Sequence, residues 1–203
     1  MAKIGILGGT FNPIHLGHIK LAQTAYDELK LDTIWFMPSK KPPHKDNNNI
    51  VSEKHRVNMI KLAIDKYNYF EVSTIELERV GTTYTSYTLE YLHNTLSDNQ
   101  YYFIVGADSI YNIETWNRPE VLFKLANFVV AIRDNVNIDD LKEQCDYLVK
   151  KYNANINIVH MNKIDISSSY IRQQYNDNMY NWEYINYIDS CVNDYIINNK
   201  LYM

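Results

Sequence analysis

The 203-residue sequence predicts an α/β fold, a doubly wound parallel sheet with helices on both faces and a small helical part at its C-terminal end. Three observations carry that expectation. Short apolar runs of strand length recur along the chain, longer segments of helical period separate them, and glycine or proline closes several of the runs. Runs of near-continuous apolar character are the kind buried on both faces, so helices must cover both.

The first run is "KIGIL", Lys3 to Leu7. Leu16 to Leu29 follows as a helix, because Leu16, Ile19, Leu21, Ala22, Ala25, Tyr26 and Leu29 recur at spacings that gather on one side. "TIWFMP", Thr33 to Pro38, is a second strand that proline stops. A helix starts near Ser52, with Val57, Ile60, Leu62, Ala63 and Ile64 as its stripe. "YFEVS" (Tyr69 to Ser73) reads as a strand and "YTLEYLHNTL" (Tyr87 to Leu96) as a helix. "YYFIVGAD" (Tyr101 to Asp108), "FVVAIR" (Phe128 to Arg133) and "INIVHM" (Ile156 to Met161) complete the strands. With no internal repeat and no Pro- or Gly-rich linker, residues 1–203 are expected to form one domain whose helical portion from about 165 completes the site.

The composition excludes several classes. At 46% hydrophobic and 22% charged, the chain is of ordinary globular type, which sets aside disorder and fibrous repeats. A net charge of −4 argues against a general nucleic-acid binder, since such proteins need a basic footprint. Any anionic ligand must be held locally. Cys145 and Cys191 show no metal-type spacing, so a reducing, cytoplasmic setting is expected and no protein-held metal. No segment approaches the roughly 18 apolar residues of a membrane span, and no signal-peptide core stands at the N-terminus. Self-association is left open.

In an open parallel sheet, ligands bind outside the carboxyl ends of the strands, so each unusual loop is tested by whether it follows a strand. Gly8 and Gly9 follow the first one. Glycines there permit close approach of a ligand, and the start of the next helix offers unpaired N–H groups, which together suit a phosphate. The loop is neither GxGxxG nor a GK[ST] P-loop. His15 and His18 stand three apart, neighbours on one helical face, with Gly17 between them leaving room for a ligand over the backbone. Beside a phosphate cradle, paired imidazoles can donate to a phosphate chain and stabilise charge in a transition state. Taken alone, the pair is equally readable as one helix cap and one core histidine.

The longer stretch is more specific. "GGTFNPIHLGH" resembles the G-x-F-D/N-P-x-H-x-G-H signature of the HxGH nucleotidyltransferases, which move a nucleotidyl group from a nucleoside triphosphate to a phosphate acceptor. Asn12 stands where Asp is commoner, and either residue can hold the turn through a side-chain oxygen. "PSKKPPHK" (Pro38 to Lys45), "TTYTSYT" (Thr82 to Thr88), "VGADSIYNIETW" (Val105 to Trp116) and "ISSSYIR" (Ile166 to Arg172) resemble the bacterial nicotinate-nucleotide adenylyltransferases. With the ending "VNDYIINNKLY", the resemblance spans essentially the whole chain and implies a Rossmann-like sheet.

That resemblance implies the site. Gly8, Gly9, Thr10, Phe11, His15 and His18 are expected to hold ATP, together with Gly106, Asp108, Ser167, Ser168 and Arg172. His44, Lys45, Tyr84, Thr85, Asp108 and Trp116 are expected to hold nicotinate mononucleotide, with Trp116 stacked on its ring. Each motif also has a plainer reading. Lysines in a proline-stiffened loop are usually solvated, which is the expectation kept for Lys40 and Lys41. Serines before a helix usually cap it, and a tryptophan is more often core.

The implied reaction is direct attack of the acceptor phosphate on the α-phosphorus of ATP, without a covalent intermediate. His15, His18, Lys45 and Arg172 would neutralise the phosphates, and Mg²⁺ would accompany ATP. The alternatives are nicotinamide mononucleotide or another phosphate acceptor as substrate, or a nucleotide-binding module without turnover.

Overall fold

The computed structural model describes residues 1–40, 50–79, 81, 83–132, 137–162, 164–176 and 186–203. Lys41, His44, Lys45 and Thr82 therefore lie outside the described residues. Six strands make one sheet: β1 (Lys3–Gly9), β2 (Thr33–Pro38), β3 (Phe70–Val72), β4 (Gln100–Gly106), β5 (Asn127–Ile132) and β6 (Ile156–His160). Their order is β3-β2-β1-β4-β5-β6, and every neighbouring pair is parallel. This is the doubly wound arrangement expected, and its order reverses between β1 and β4.

Every strand except the short edge strand β3 feeds both faces, because successive side chains alternate. Ile4 and Ile6 of β1, Phe103 and Val105 of β4, and Phe128 and Val130 of β5 enter one core. Leu7, Ile104, Val129 and Ala131 enter the other. The first core is closed by α4 (Thr85–Thr95), α5 (Ala107–Asn112), α6 (Pro119–Leu125) and α7 (Ile138–Tyr152) through Leu89, Leu92, Ile110, Leu122, Leu141 and Leu148. The second is closed by α1 (Leu16–Leu29), α2 (Glu53–Ile64), α8 (Ser168–Asn176) and α9 (Ser190–Asn198), through Ile19, Ala22, Ile60, Ile171, Val192 and Ile196. Phe128, the second residue of β5, is fully buried, so truncation to alanine there would cost about 3–5 kcal/mol.

The boundaries of α1 and β2 coincide with the expected ones. α4 begins two residues before the expected Tyr87, at Thr85, with Tyr84 as its N-cap. A four-residue helix, α3 (Ile75–Glu78), precedes it. α7 carries a legible stripe at Leu141, Cys145 and Leu148 that a strand-centred reading passes over. β1 runs through Gly9, so the glycine pair is the strand's last step and not the loop after it. No helix among the described residues is long and apolar enough to cross a membrane.

Candidate functional site

Where two neighbouring parallel strands send their crossovers to opposite faces, their carboxyl ends part and leave a crevice. Between β1 and β4 that crevice is a cleft of ≈ 520 Å³. Leu7, Gly8 and Gly9 form one wall, and Phe103 to Gly106 the other. Gly8 faces Phe103, whose ring would lie 3.4 Å from an added Cβ, and the Phe11 ring would lie 3.0 Å from one on Gly9. The glycines thus keep the floor of the cleft low.

After Gly9 the chain turns sharply. Phe11 takes a left-handed backbone (φ 48°), which sends its side chain inward, fully buried against Phe36 and the edge of His18. Only the backbone of Phe11 is left to serve a ligand. His15 is the N-cap of α1, and His18 lies in the first turn. Their ring centroids are 3.8 Å apart. The His15 N–H donates to His18 Nδ1 at 3.2 Å, which in the neutral ring places the proton on Nε2 as a donor. His18 lines the cleft. Gly17 has a different use from the one expected: a Cβ there would lie 3.0 Å from the His15 ring, so the missing side chain makes room for the imidazole.

Side chains from far along the chain hold the loop's carbonyls. Arg172 Nη1 donates to the Asn12 carbonyl (2.9 Å), Ser168 Oγ to that of Pro13 (2.8 Å), and Arg56 Nη1 to that of Thr10 (2.9 Å). The buried Asn12 side chain accepts the Val51 N–H (3.2 Å) and the Tyr202 hydroxyl (2.8 Å) through Oδ1. These bonds tie the turn to residues 39 and 190 positions away, a different use of the oxygen from the local Asx-type turn expected. Ser167 caps α8 by accepting the Tyr170 N–H at 3.2 Å, the ordinary role of such a serine. Arg172 opens on another hollow beside the loop, shared with Val51, Ser169 and Tyr202. His18 and Arg172 therefore reach the loop from different sides.

On the far side of the cleft stand Tyr84, Thr85, Trp116 and Asn117. Trp116 is half-buried, its ring edge-on to Phe103 with centroids 6.3 Å apart. Asn117 Oδ1 accepts the Ser86 hydroxyl at 2.8 Å, which ties the Trp116 loop to the start of α4. Glu76, buried at the cleft wall, accepts from Thr88 Oγ1 (3.0 Å), which in turn accepts from Arg79 (3.2 Å). Burial holds the Glu76 carboxyl above its usual range, against the Thr88 hydrogen bond and the Arg79 charge.

Of the expected ATP contacts, Gly8, Gly9, His18 and Gly106 line the cleft, and His15 packs directly behind His18. Asp108 does not line it. β4 ends at Gly106, so Asp108 falls in the first turn of α5 and is exposed. Lys40 is half-buried and not freely solvated: its amine donates to the carbonyls of Leu77 (2.8 Å) and Arg79 (2.7 Å), fastening the end of β2 to α3. Of the residues expected to hold the acceptor, Tyr84, Thr85 and Trp116 line the one cleft, while His44 and Lys45 lie outside the described residues. Glu76, Ser109 and Asn117 line the cleft without a sequence signal of their own. Arg56 had one: it sits in register with Met59, Ile60 and Ala63, on the buried stripe of α2.

Residues 6–174 match the cytidylyltransferase-like family. A probable nicotinate-nucleotide adenylyltransferase of Carboxydothermus hydrogenoformans is 42% identical over 201 residues, 99% of this chain and 98% of that one. One from Lachnoclostridium phytofermentans is 38% identical over 204 residues, the whole of both chains. Among solved structures, the Plasmodium falciparum nicotinic acid mononucleotide adenylyltransferase complexed with NaAD superposes with a TM-score of 0.81 at 24% identity, covering 100% of this chain and 98% of that one. At that identity the likeness is one of fold.

Proposed function

We propose, for a chain that belongs to the cytidylyltransferase-like family and within it to the nicotinate-nucleotide adenylyltransferases, that the β1/β4 cleft transfers the adenylyl group of ATP to nicotinate mononucleotide, giving deamido-NAD and pyrophosphate in NAD biosynthesis. The observation that carries this is the His18 imidazole, orientated by the His15 backbone, facing a cleft whose opposite wall bears Trp116 and Tyr84.

A 5′-phosphate oxygen of the acceptor attacks the α-phosphorus of ATP. A new P–O bond forms, the bond to the bridging α–β oxygen breaks, and its electron pair leaves with pyrophosphate. Such transfers need positioning and charge neutralisation more than a protein nucleophile. His18 Nε2–H donates to the triphosphate, and the backbone from Gly8 to Phe11 seats it. Arg172 adds positive charge beside the same loop, fixed there by the Asn12 carbonyl. Mg²⁺ enters on the triphosphate as part of the substrate, where it offsets phosphate charge. Tyr84 and Trp116 flank the pyridine ring, and the start of α4 at Thr85 directs N–H groups at its carboxylate.

The test is pyrophosphate release by the purified chain with Mg²⁺, ATP and either nicotinate or nicotinamide mononucleotide. The acid should turn over with matched deamido-NAD, and the amide much more slowly. Equal turnover of the two would remove the acid-selective pocket, and no turnover of either would remove the enzyme assignment.

A further inference from the structure

We propose that Arg56 is a positioning residue that sets a fixed, buried positive charge behind the polyphosphate seat, acting through the Thr10 carbonyl without touching substrate. The inference rests on the seat described above.

Arg56 is 1% exposed, among the largest fully buried side chains of the protein. Its Nη1 donates to the Thr10 carbonyl at 2.9 Å, and its Nε is buried without a hydrogen-bond partner. Among the described residues no carboxylate stands within ion-pair distance of it. A guanidinium buried without a counter-ion is costly, and the usual remedy is a paired carboxylate. Here burial outweighs the fields of Glu53 and Tyr202 and pushes the group below its usual range, though an arginine stays charged.

Holding one carbonyl does not require that cost. A glutamine amide could donate to Thr10 with far less desolvation, so the charge itself calls for an explanation. A cation in a low-dielectric interior, with no ion-pair partner among the described residues, has a field that reaches past its first neighbours. Donation to the Thr10 carbonyl also polarises the Thr10–Phe11 peptide, which strengthens the Phe11 N–H at the other end of the same unit. Both effects favour an anion arriving at the loop, and both are fixed before it arrives. The missing counter-charge is the polyphosphate of the nucleotide.

The proposal is tested by binding AMP, ADP and ATP, without acceptor, to the wild type, Arg56→Gln and Arg56→Lys by calorimetry. The wild type should gain affinity steadily from AMP to ATP. Arg56→Gln, which keeps a donor and loses the charge, should weaken ATP about tenfold and AMP by no more than about twofold, flattening that gain. Arg56→Lys should preserve it. A uniform loss across the three nucleotides in Arg56→Gln would reduce Arg56 to a structural staple and overturn the proposal, as would no loss, or a flattened gain in folded Arg56→Lys. Should Arg56→Gln not fold, Arg56→Met fills similar space; it gives up the bond to the Thr10 carbonyl as well as the charge, so its affinities fall for all three nucleotides, and the proposal requires the loss for ATP to exceed that for AMP about fivefold. A wild type with no preference for ATP over AMP would overturn the seat itself, which separates the two failures.

Discussion

The hydroxyl of Ser168 donates to the carbonyl of Pro13 across 155 positions of chain, at 2.8 Å. The bond fastens the start of α8 to the loop that leaves β1, and Arg172 repeats the connection one helical turn later at the Asn12 carbonyl. The C-terminal helices thus hold the first crossover in shape as well as covering the sheet.

Arg172 should consequently matter twice. Arg172→Ala leaves the Asn12 carbonyl without its charged donor, which should lower stability by about 1.5–3 kcal/mol and raise the KM for ATP. Urea denaturation and steady-state kinetics read the two effects. A variant as stable as the wild type would deny the structural half of the role.

His18 has a donor to lose to the substrate, and its contacts with Phe11, His15 and the start of α1 to lose to the fold. His18→Ala should cut kcat by roughly 10²- to 10³-fold, far more than the modest fall in Tm that loss of a helix cap brings. Near-normal turnover in a folded variant would dismiss its electrostatic role.

Trp116 separates the two substrates. In the proposed reaction its ring meets the acceptor, so Trp116→Ala should raise the KM for nicotinate mononucleotide about tenfold and leave that for ATP nearly unchanged. Equal increases in both would assign the ring to the core, through its contact with Phe103.

Glu76 makes a pH prediction. Burial raises its folded-state pKa above the ordinary 4.5, so between those two values the native state binds more protons than the unfolded chain. Stability contributed by this group is therefore present below 4.5 and is lost as pH rises through the folded value. Glu76→Gln, which still accepts from Thr88, should be more stable than the wild type at neutral pH, and the difference should close as pH falls towards 4.5. Melting curves across that range decide it, and a gap that widens on acidification would reverse the sign.

The two thiols should differ sharply in reactivity. Cys145 is buried in α7 and desolvation pushes its pKa up to about 11, whereas Cys191 is exposed at the start of α9. A thiol reagent at neutral pH should label one site per native chain quickly and the second only on unfolding, and mass mapping should find Cys191 labelled first.

Much of the fold was legible because its signals are local. Apolar runs such as Thr33–Pro38, the stripe of Leu16–Leu29 and the proline that ends β2 all act within a few residues. The site was legible only in part. His15, His18 and Trp116 carry chemistry in their side chains and stand in recognisable loops, but Lys40 looked like a solvated lysine until Leu77 and Arg79 offered it carbonyls. Asp108 looked like a strand-end carboxylate, and the early close of β4 at Gly106 turned it outwards.

The sequence by itself determined the alternation of strand and helix, the glycine-floored first crossover and the histidine pair, since each depends on neighbours in the chain. Only the tertiary structure decided that β1 and β4 would part at the switch point, and that Arg56, Ser168, Arg172 and Tyr202 would converge on one loop. Those meetings are made by burial of both faces of the sheet, a property of the whole chain that no short stretch encodes.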